Sequence, residues 1–296
     1  MTTELPSRSA VYEGPLTKSS IWERFSVRPD DVIVSTPPKS GTTWAQIILT
    51  SLIAGRALSP LEMSKSSLWL DGALFDPDDC KAQLDAQAFR RCIKSHTPLD
   101  GITYDPRCTY IVVYRHPLDV HFSMRHHAAH MKSDAMRVRY PDDPRLAFRM
   151  FLEDELYNGS SDALDLHSIA YHYRSFKRWE HLGNIHFFHY ADMVGNLPDT
   201  VRQMARILGM DVPAPQIAEI VEGATFANLK KAATAADQAS DSPEFYLGAK
   251  FFNNATSRKW EGELSQAQLA AFEARMRALL PEDDIAWLLW GSRGHA

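Results

Sequence analysis

Lys39, Ser40, Gly41, Thr42 and Thr43, in the run Pro37-Pro38-Lys39-Ser40-Gly41-Thr42-Thr43-Trp44, are the residue types that grip an oxyanion where a helix begins. A helix start leaves backbone N–H groups unpaired and carries partial positive charge, and a glycine there lets the backbone approach a ligand closely. Lys39 adds a point charge, and the two threonines add hydroxyl donors. A second set stands at Arg115-His116-Pro117, where an arginine suited to bidentate phosphate contact precedes a proline fit for a first helical turn. Ser123 would lie about 9 Å along that helix at roughly 1.5 Å per residue. Its hydroxyl rather than its amide would then serve, on the face shared with His116 and Asp119. Between the two sets, Cys92-Ile93-Lys94-Ser95-His96-Thr97-Pro98 ends a short strand-like piece in a histidine, with Lys94 on the same face in extended geometry. An imidazole accepts a proton near neutrality, so His96 is a candidate general base. Two anion sites at two strand ends point to a nucleotide carrying phosphates at both ends.

This spacing departs from the nucleotide P-loop, in which the lysine follows the second glycine. The strand Thr109–Tyr114 ends in Arg115, not in the acidic residue that would hold magnesium. A P-loop-like kinase of a small hydroxyl compound is therefore the weaker alternative, and a catalytically silent nucleotide-binding relative is another. His126 and His130 share a helical spacing but have no acidic or cysteine partner nearby, so no metal site is expected.

The elements that must position these residues follow from periodicity. Val32–Ser35, Thr109–Tyr114 and Ile185–Tyr190 read as buried strands separated by helical segments. That alternation predicts an α/β, P-loop-like three-layer fold with a mainly parallel central sheet flanked by helices. In such sheets ligands gather at the carboxyl ends of the strands. A helix is predicted from about Pro198, with Val201, Met204, Ala205 and Leu208 on its core face and Gly209 as its stop signal. Another is predicted near 266–280, opened by a Ser265-x-x-Gln268 capping box. Residues 1–296 read as one domain, with an insertion at 126–166 that would cover the acceptor site. Residues 232–258 read as a mobile loop beside the anion site, because the stretch to 250 has few large apolar groups.

A hydrophobic content of 45% over 296 residues suffices for a sizeable core, while a net charge of -5 argues against general nucleic-acid binding. Cys80, Cys92 and Cys108 form no close pair, so a reducing, cytoplasmic setting is expected. Met1–Ala10 lacks the apolar core of a signal peptide, and no run is long enough to span a bilayer. A homo-oligomer is compatible with this composition.

In order, Pro38–Trp44, Lys94–Pro98, and Arg115 placed eight residues before Ser123 resemble the cytosolic-type sulfotransferase family, and the chain is identified as a bacterial member. Tyr190-Ala191-Asp192-Met193 resembles the family's Tyr-Glu-Asp-Met segment, and Ala224-Thr225-Phe226 its Thr-Ser-Phe segment. The similarity runs from about residue 32 to 262. The resemblance implies transfer of a sulfuryl group from 3'-phosphoadenosine 5'-phosphosulfate (PAPS) to a hydroxyl or amine, leaving PAP, with no metal required. It implies His96 as general base, Lys39 stabilising the leaving nucleotide, and Lys94 meeting the sulfuryl oxygens. Donor contacts are implied for Lys39, Ser40, Gly41, Thr42, Thr43, Trp44, Arg115, Ser123, Tyr190, Thr225 and Phe226. One departure stands out. The family's Arg-Lys-Gly, which holds the 3'-phosphate, would fall at Asn253-Asn254-Ala255, leaving Arg258 or Lys259 as replacement. Trp22, Trp69, Leu70, Phe75, Phe148, Met150 and Phe151 suggest an apolar small-molecule or lipid acceptor: a phenol, a lipid alcohol or a glycolipid.

Overall fold

A parallel four-stranded sheet carries the site, with strands in the order β2-β1-β3-β4. The strands are β1 (Val32–Ser35), β2 (Cys92–Ser95), β3 (Thr109–Tyr114) and β4 (Ile185–His189). The computed structural model describes residues 4–14, 16–129, 140–153, 165–239 and 257–292. Ser35 pairs with Ser95 and Tyr114 with His189, so the sheet's carboxyl ends deliver four chain segments to one edge. The β1 and β3 sequences are runs of β-branched and aromatic residues, as a strand covered on both faces requires. Alternation divides them. Ile33, Tyr110, Val112 and Tyr114 enter one core, and Val32, Val34, Ile111 and Val113 enter the other.

The helices supply the outer layers. On one face α1 (Thr42–Ala54), α8 (Leu197–Ile207), α9 (Ala214–Gly223) and α10 (Phe226–Ala239) bring Ile48, Val201, Ile217 and Leu229 to the second core. On the other, α4 (Pro117–Ala128), α5 (Pro144–Glu153), α6 (Leu166–Lys177), α11 (Gln266–Leu279) and α12 (Glu282–Trp290) bring Leu118, Phe148, Tyr173, Phe272 and Leu288 to the first. Each such buried side chain contributes roughly 1.5–3 kcal/mol before chain entropy is counted. Helices α2 (Pro60–Ser66), α3 (Pro77–Ala86) and α7 (Tyr190–Gly195) add Met63, Leu84 and Met193 to these cores.

The capping box predicted at Ser265 and Gln268 is present. The helix expected from Pro198 starts one residue earlier, because Asn196 caps it and Pro198 occupies its first turn. Strand β4 stops at His189, whose ring accepts the Ala191 amide and so starts α7 at Tyr190. Residues 232–239 of the loop expected over 232–258 are helical instead, since α10 continues to Ala239. Its alanines lack bulk, yet alanine is the strongest helix former. Residues 240–256, with Asn253-Asn254-Ala255, lie outside the described residues. In the 126–166 insertion, residues 126–128 continue α4 and Pro144–Glu153 forms α5, while 130–139 and 154–164, including His130, also lie outside.

Cys80, Cys92 and Cys108 are buried free thiols, and burial pushes Cys92 and Cys108 up to about 12. Among the described residues no helix is long and apolar enough to cross a membrane.

Candidate active site

The chain leaves β1 through Thr36-Pro37-Pro38 and turns into α1 by two left-handed residues, Lys39 at a φ of 66° and Gly41 at 116°. A Cβ on Gly41 would stand 3.0 Å from Tyr190 Cδ2 and 3.4 Å from Val113 Cγ1, so glycine is required by both backbone and space. No side chain caps α1 at Gly41, which leaves its first amides to a ligand. Ser40 Oγ is buried without a hydrogen-bond partner among the described residues. Thr42 Oγ1 meets Thr36 Oγ1, and Thr43 stays partly exposed in the first turn. Trp44 donates its indole N–H to the Ala224 carbonyl at 2.8 Å and sets its ring edge-on to Tyr190 at 5.6 Å. Ala224 is followed by Thr225, which bonds the Glu222 carbonyl at 2.9 Å, and by Phe226, which packs on the second core. The sequence-predicted Trp44, Tyr190, Thr225 and Phe226 are thus gathered beside one helix start.

Positive charge collects here. Arg115, buried at the end of β3, lays its guanidinium over the Tyr190 ring at 4.4 Å, with Nε 3.9 Å from Asp119 Oδ2. Asp119 Oδ1 accepts the Lys259 amide at 3.0 Å, which draws the segment after residue 256 onto α4. Ser123 sits one turn beyond Asp119 on that helix. Burial, and then the charges of Arg115, Lys94 and Lys259, lower the Lys39 ammonium to about 7. Lys39 therefore feels cations from three other chain segments, with Asp119 beside Arg115 and Lys259, an arrangement that favours a polyanion. Of the two candidates for the missing Arg-Lys-Gly, Lys259 joins this group. Arg258 does not: it is exposed, with Nη1 3.3 Å from Glu261 Oε1 and its guanidinium 5.4 Å from the Trp290 ring.

His96 stands against the same loop. Its Nδ1 is 2.7 Å from the Thr36 carbonyl, and a carbonyl only accepts, so Nδ1 carries the hydrogen and Nε2 keeps its lone pair. Burial first, and the Lys94 charge second, hold this imidazole well below its usual range, so it is neutral at physiological pH. Lys94 extends its Nζ over the Trp69 ring at 4.1 Å, and the same indole meets His96 edge-on at 4.9 Å. Burial lowers Lys94 to about 8, against the opposing pull of Asp71. The turn around Thr36 and Lys39 thus holds a neutral imidazole beside a crowded group of cations.

Several acceptor candidates lie elsewhere. Trp22, Leu70, Phe148 and Phe151 belong to the first core, where Trp22 donates its indole N–H to buried Asp71 at 2.8 Å. Phe75 is 51% exposed, Met150 is partly exposed on α5, and Trp69 is the one beside His96. The Thr36 and Ala224 carbonyls went unnoticed in the sequence, because a backbone acceptor leaves no side-chain signature.

The sulfotransferase domain profile matches residues 29–283. A glycolipid sulfotransferase of Mycobacterium bovis is 29% identical over 100% of this chain and 99% of its own. The fold is shared with mouse sulfotransferase SULT7A1 complexed with PAP, at a TM-score of 0.66, 18% identity, and coverage of 90% of this chain and 89% of that one. It is shared also with retinol dehydratase in complex with androsterone and PAP, at a TM-score of 0.67, 19% identity, and coverage of 89% and 84%.

Proposed function

The chain belongs to the sulfotransferase domain family, and from that premise we propose that it moves a sulfuryl group from PAPS to a hydroxyl of an apolar acceptor such as a glycolipid, a lipid alcohol or a phenol. The convergence of Lys39, Lys94, Arg115 and Lys259 beside the orphaned Ser40 hydroxyl carries this reading. An adenosine phosphorylated at both ends fits that charge and that hydroxyl. Bound there, PAPS supplies the activated sulfuryl group.

The chain's own residues do the rest. The first amides of α1 with Ser40, Thr42 and Thr43 hold the 5' side, and Arg115, Ser123 and Lys259 hold the 3'-phosphate, with Lys259 compensating for Asn253-Asn254-Ala255. Trp44, Tyr190, Thr225 and Phe226 enclose the base. His96 Nε2 takes the proton of the acceptor hydroxyl, while its Nδ1–H bond to Thr36 holds the ring and stabilises the imidazolium that forms. Lys39 offers its ammonium to the leaving nucleotide oxygen, and Lys94 meets the sulfuryl oxygens. The glycolipid acceptor class is supported by the Mycobacterium bovis relative and by Trp69 beside the base. Three buried reduced thiols suit a cytoplasmic enzyme.

The decisive experiment incubates the protein with labelled PAPS, EDTA and a panel of glycolipids, lipid alcohols and phenols. Turnover is expected without metal. In His96→Ala it should fall by at least about a hundredfold, while PAP binding stays within about threefold. Turnover that needs ATP and magnesium, or a His96→Ala variant at the wild-type rate, would refute the reading.

A further inference from the structure

We propose that Asp71 is a positioning residue for the reaction: it clamps the Ser95-His96-Thr97 turn from below without touching either substrate. The proposal rests on the reading of His96 as base.

Asp71 is fully buried, and its Oδ2 accepts from Trp22 Nε1 at 2.8 Å, Ser95 Oγ at 2.6 Å and Thr97 Oγ1 at 2.7 Å. Ser95 Oγ also accepts the Thr97 amide at 2.9 Å, and its own hydrogen goes to Asp71 because an ionised carboxylate only accepts. The two residues flanking the base are thus tied to one carboxylate oxygen. The Asp71 carbonyl also accepts the Lys18 amide at 2.7 Å, which anchors the clamp to the N-terminal segment. From the opposite side Ser35 Oγ donates to the Thr97 carbonyl at 2.7 Å, and so accepts from His172 Nε2 at 3.0 Å. The other His172 nitrogen then accepts from the Tyr114 hydroxyl at 2.9 Å. The turn is held on both faces, and the His96 ring is pinned to Thr36 in between.

A neutral acid would not serve. Burial raises the Asp71 carboxyl, and the hydrogen bonds that Ser95, Trp22 and Thr97 give to Oδ2 pull the other way, toward the charged form. The Trp69 indole N–H lies near enough to favour the charged form, although outside hydrogen-bond geometry. The compensating charge is Lys94, whose ammonium Asp71 supports against burial. Lys94 also faces His96 from its own strand end and Lys39 from the loop after β1, and both feel its charge. Removing Asp71 therefore loosens the turn and makes Lys94 easier to deprotonate.

Asp71→Asn retains size but loses the charge and one acceptor oxygen. Its kcat is expected to fall about 10- to 100-fold, with acceptor KM and PAP Kd within about threefold. The pH midpoint of Lys94 acetylation by trace acetic anhydride, read by peptide mass spectrometry, should drop by at least about half a unit. Thr97→Val and Ser95→Ala each remove one hydroxyl but leave the carboxylate, so kcat should fall while the Lys94 midpoint stays. Wild-type kcat in folded Asp71→Asn, or an unmoved Lys94 midpoint, overturns the proposal. If Asp71→Asn does not fold, wild-type kcat in the two hydroxyl variants overturns it equally. A wild-type protein inactive with PAPS would sink the functional reading alone, because the labelling midpoint is read without turnover and still decides the link between Asp71 and Lys94.

Discussion

Lys39 and Lys94 hold their protons less tightly than ordinary lysines because each is buried, and because Lys39 also faces Arg115, Lys94 and Lys259. Their charged forms are half lost at about 7 and about 8 respectively, predominate below those values and disappear above them. A phosphate favours the ammonium, so PAP affinity should be highest on the acid side and weaken at least about tenfold between about pH 6.5 and 9. Calorimetric titration across that range checks this, and Lys39→Met should flatten the curve. A wild-type affinity that did not vary would mean the Lys39 ammonium does not meet the phosphates. His96 behaves oppositely: burial keeps it neutral throughout the same range. The alkaline loss should therefore show in donor KM rather than in the availability of the base. Each of these side chains was legible in the sequence, but their mutual charge coupling was not, since Lys39, Lys94, Arg115 and Lys259 come from segments far apart along the chain.

The β1–α1 connection converts a short sequence into an anion site, and Gly41 is where it is most constrained. A side chain there meets both a φ of 116° and the Tyr190 ring at 3.0 Å. Gly41→Ala should cost about 1–3 kcal/mol in backbone strain and weaken PAP binding by at least about tenfold, since 1.4 kcal/mol is a factor of ten. Gly209→Ala is the control. Its φ of 66° is also strained, but nothing lies within 4 Å of the added methyl, so stability should fall while PAP binding stays unchanged. Equal losses of PAP affinity in the two variants would show general destabilisation rather than a local cradle. At this scale the sequence was readable wherever one physical signal dominated: β-branched runs marked β1 and β3, and Ser265 with Gln268 marked the start of α11. It was misread at Ala232–Ala239, where scarce bulk suggested a loop and alanine propensity made a helix. Asp71 carried a weak signal, an acid directly after Trp69-Leu70, but its partners Trp22, Ser95 and Thr97 meet it only in three dimensions.

A parallel sheet has two unlike edges, and in this molecule they do different work. The carboxyl edge gathers His96, Arg115 and the loop after Ser35, where cations are crowded and Ser40 Oγ has no hydrogen-bond partner among the described residues. At the amino edge Asp31 and Arg91, just before β1 and β2, form a buried pair: Arg91 Nε donates to Asp31 Oδ1 at 2.8 Å, and Nη2 bonds Oδ2. Arg91 Nη2 also donates to the Ser26 carbonyl at 3.0 Å, and the guanidinium lies 4.6 Å from the Phe25 ring. Arg91 is 0% exposed, so Arg91→Met would leave the Asp31 carboxylate buried without its bidentate partner, at a cost of about 3–5 kcal/mol. Urea denaturation should show that loss as a lower midpoint. Arg24 and Asp78, a pair with side chains 61% and 60% exposed, provide the contrast, since an open ion pair contributes less than about 1 kcal/mol. Because the sheet separates the two edges, the Arg91→Met protein that remains folded should bind PAP and turn over as the wild type does. A matching fall in kcat would mean that strain at the amino edge travels along β1 and β2 to His96, and that stability and catalysis are not divided between the ends of this sheet.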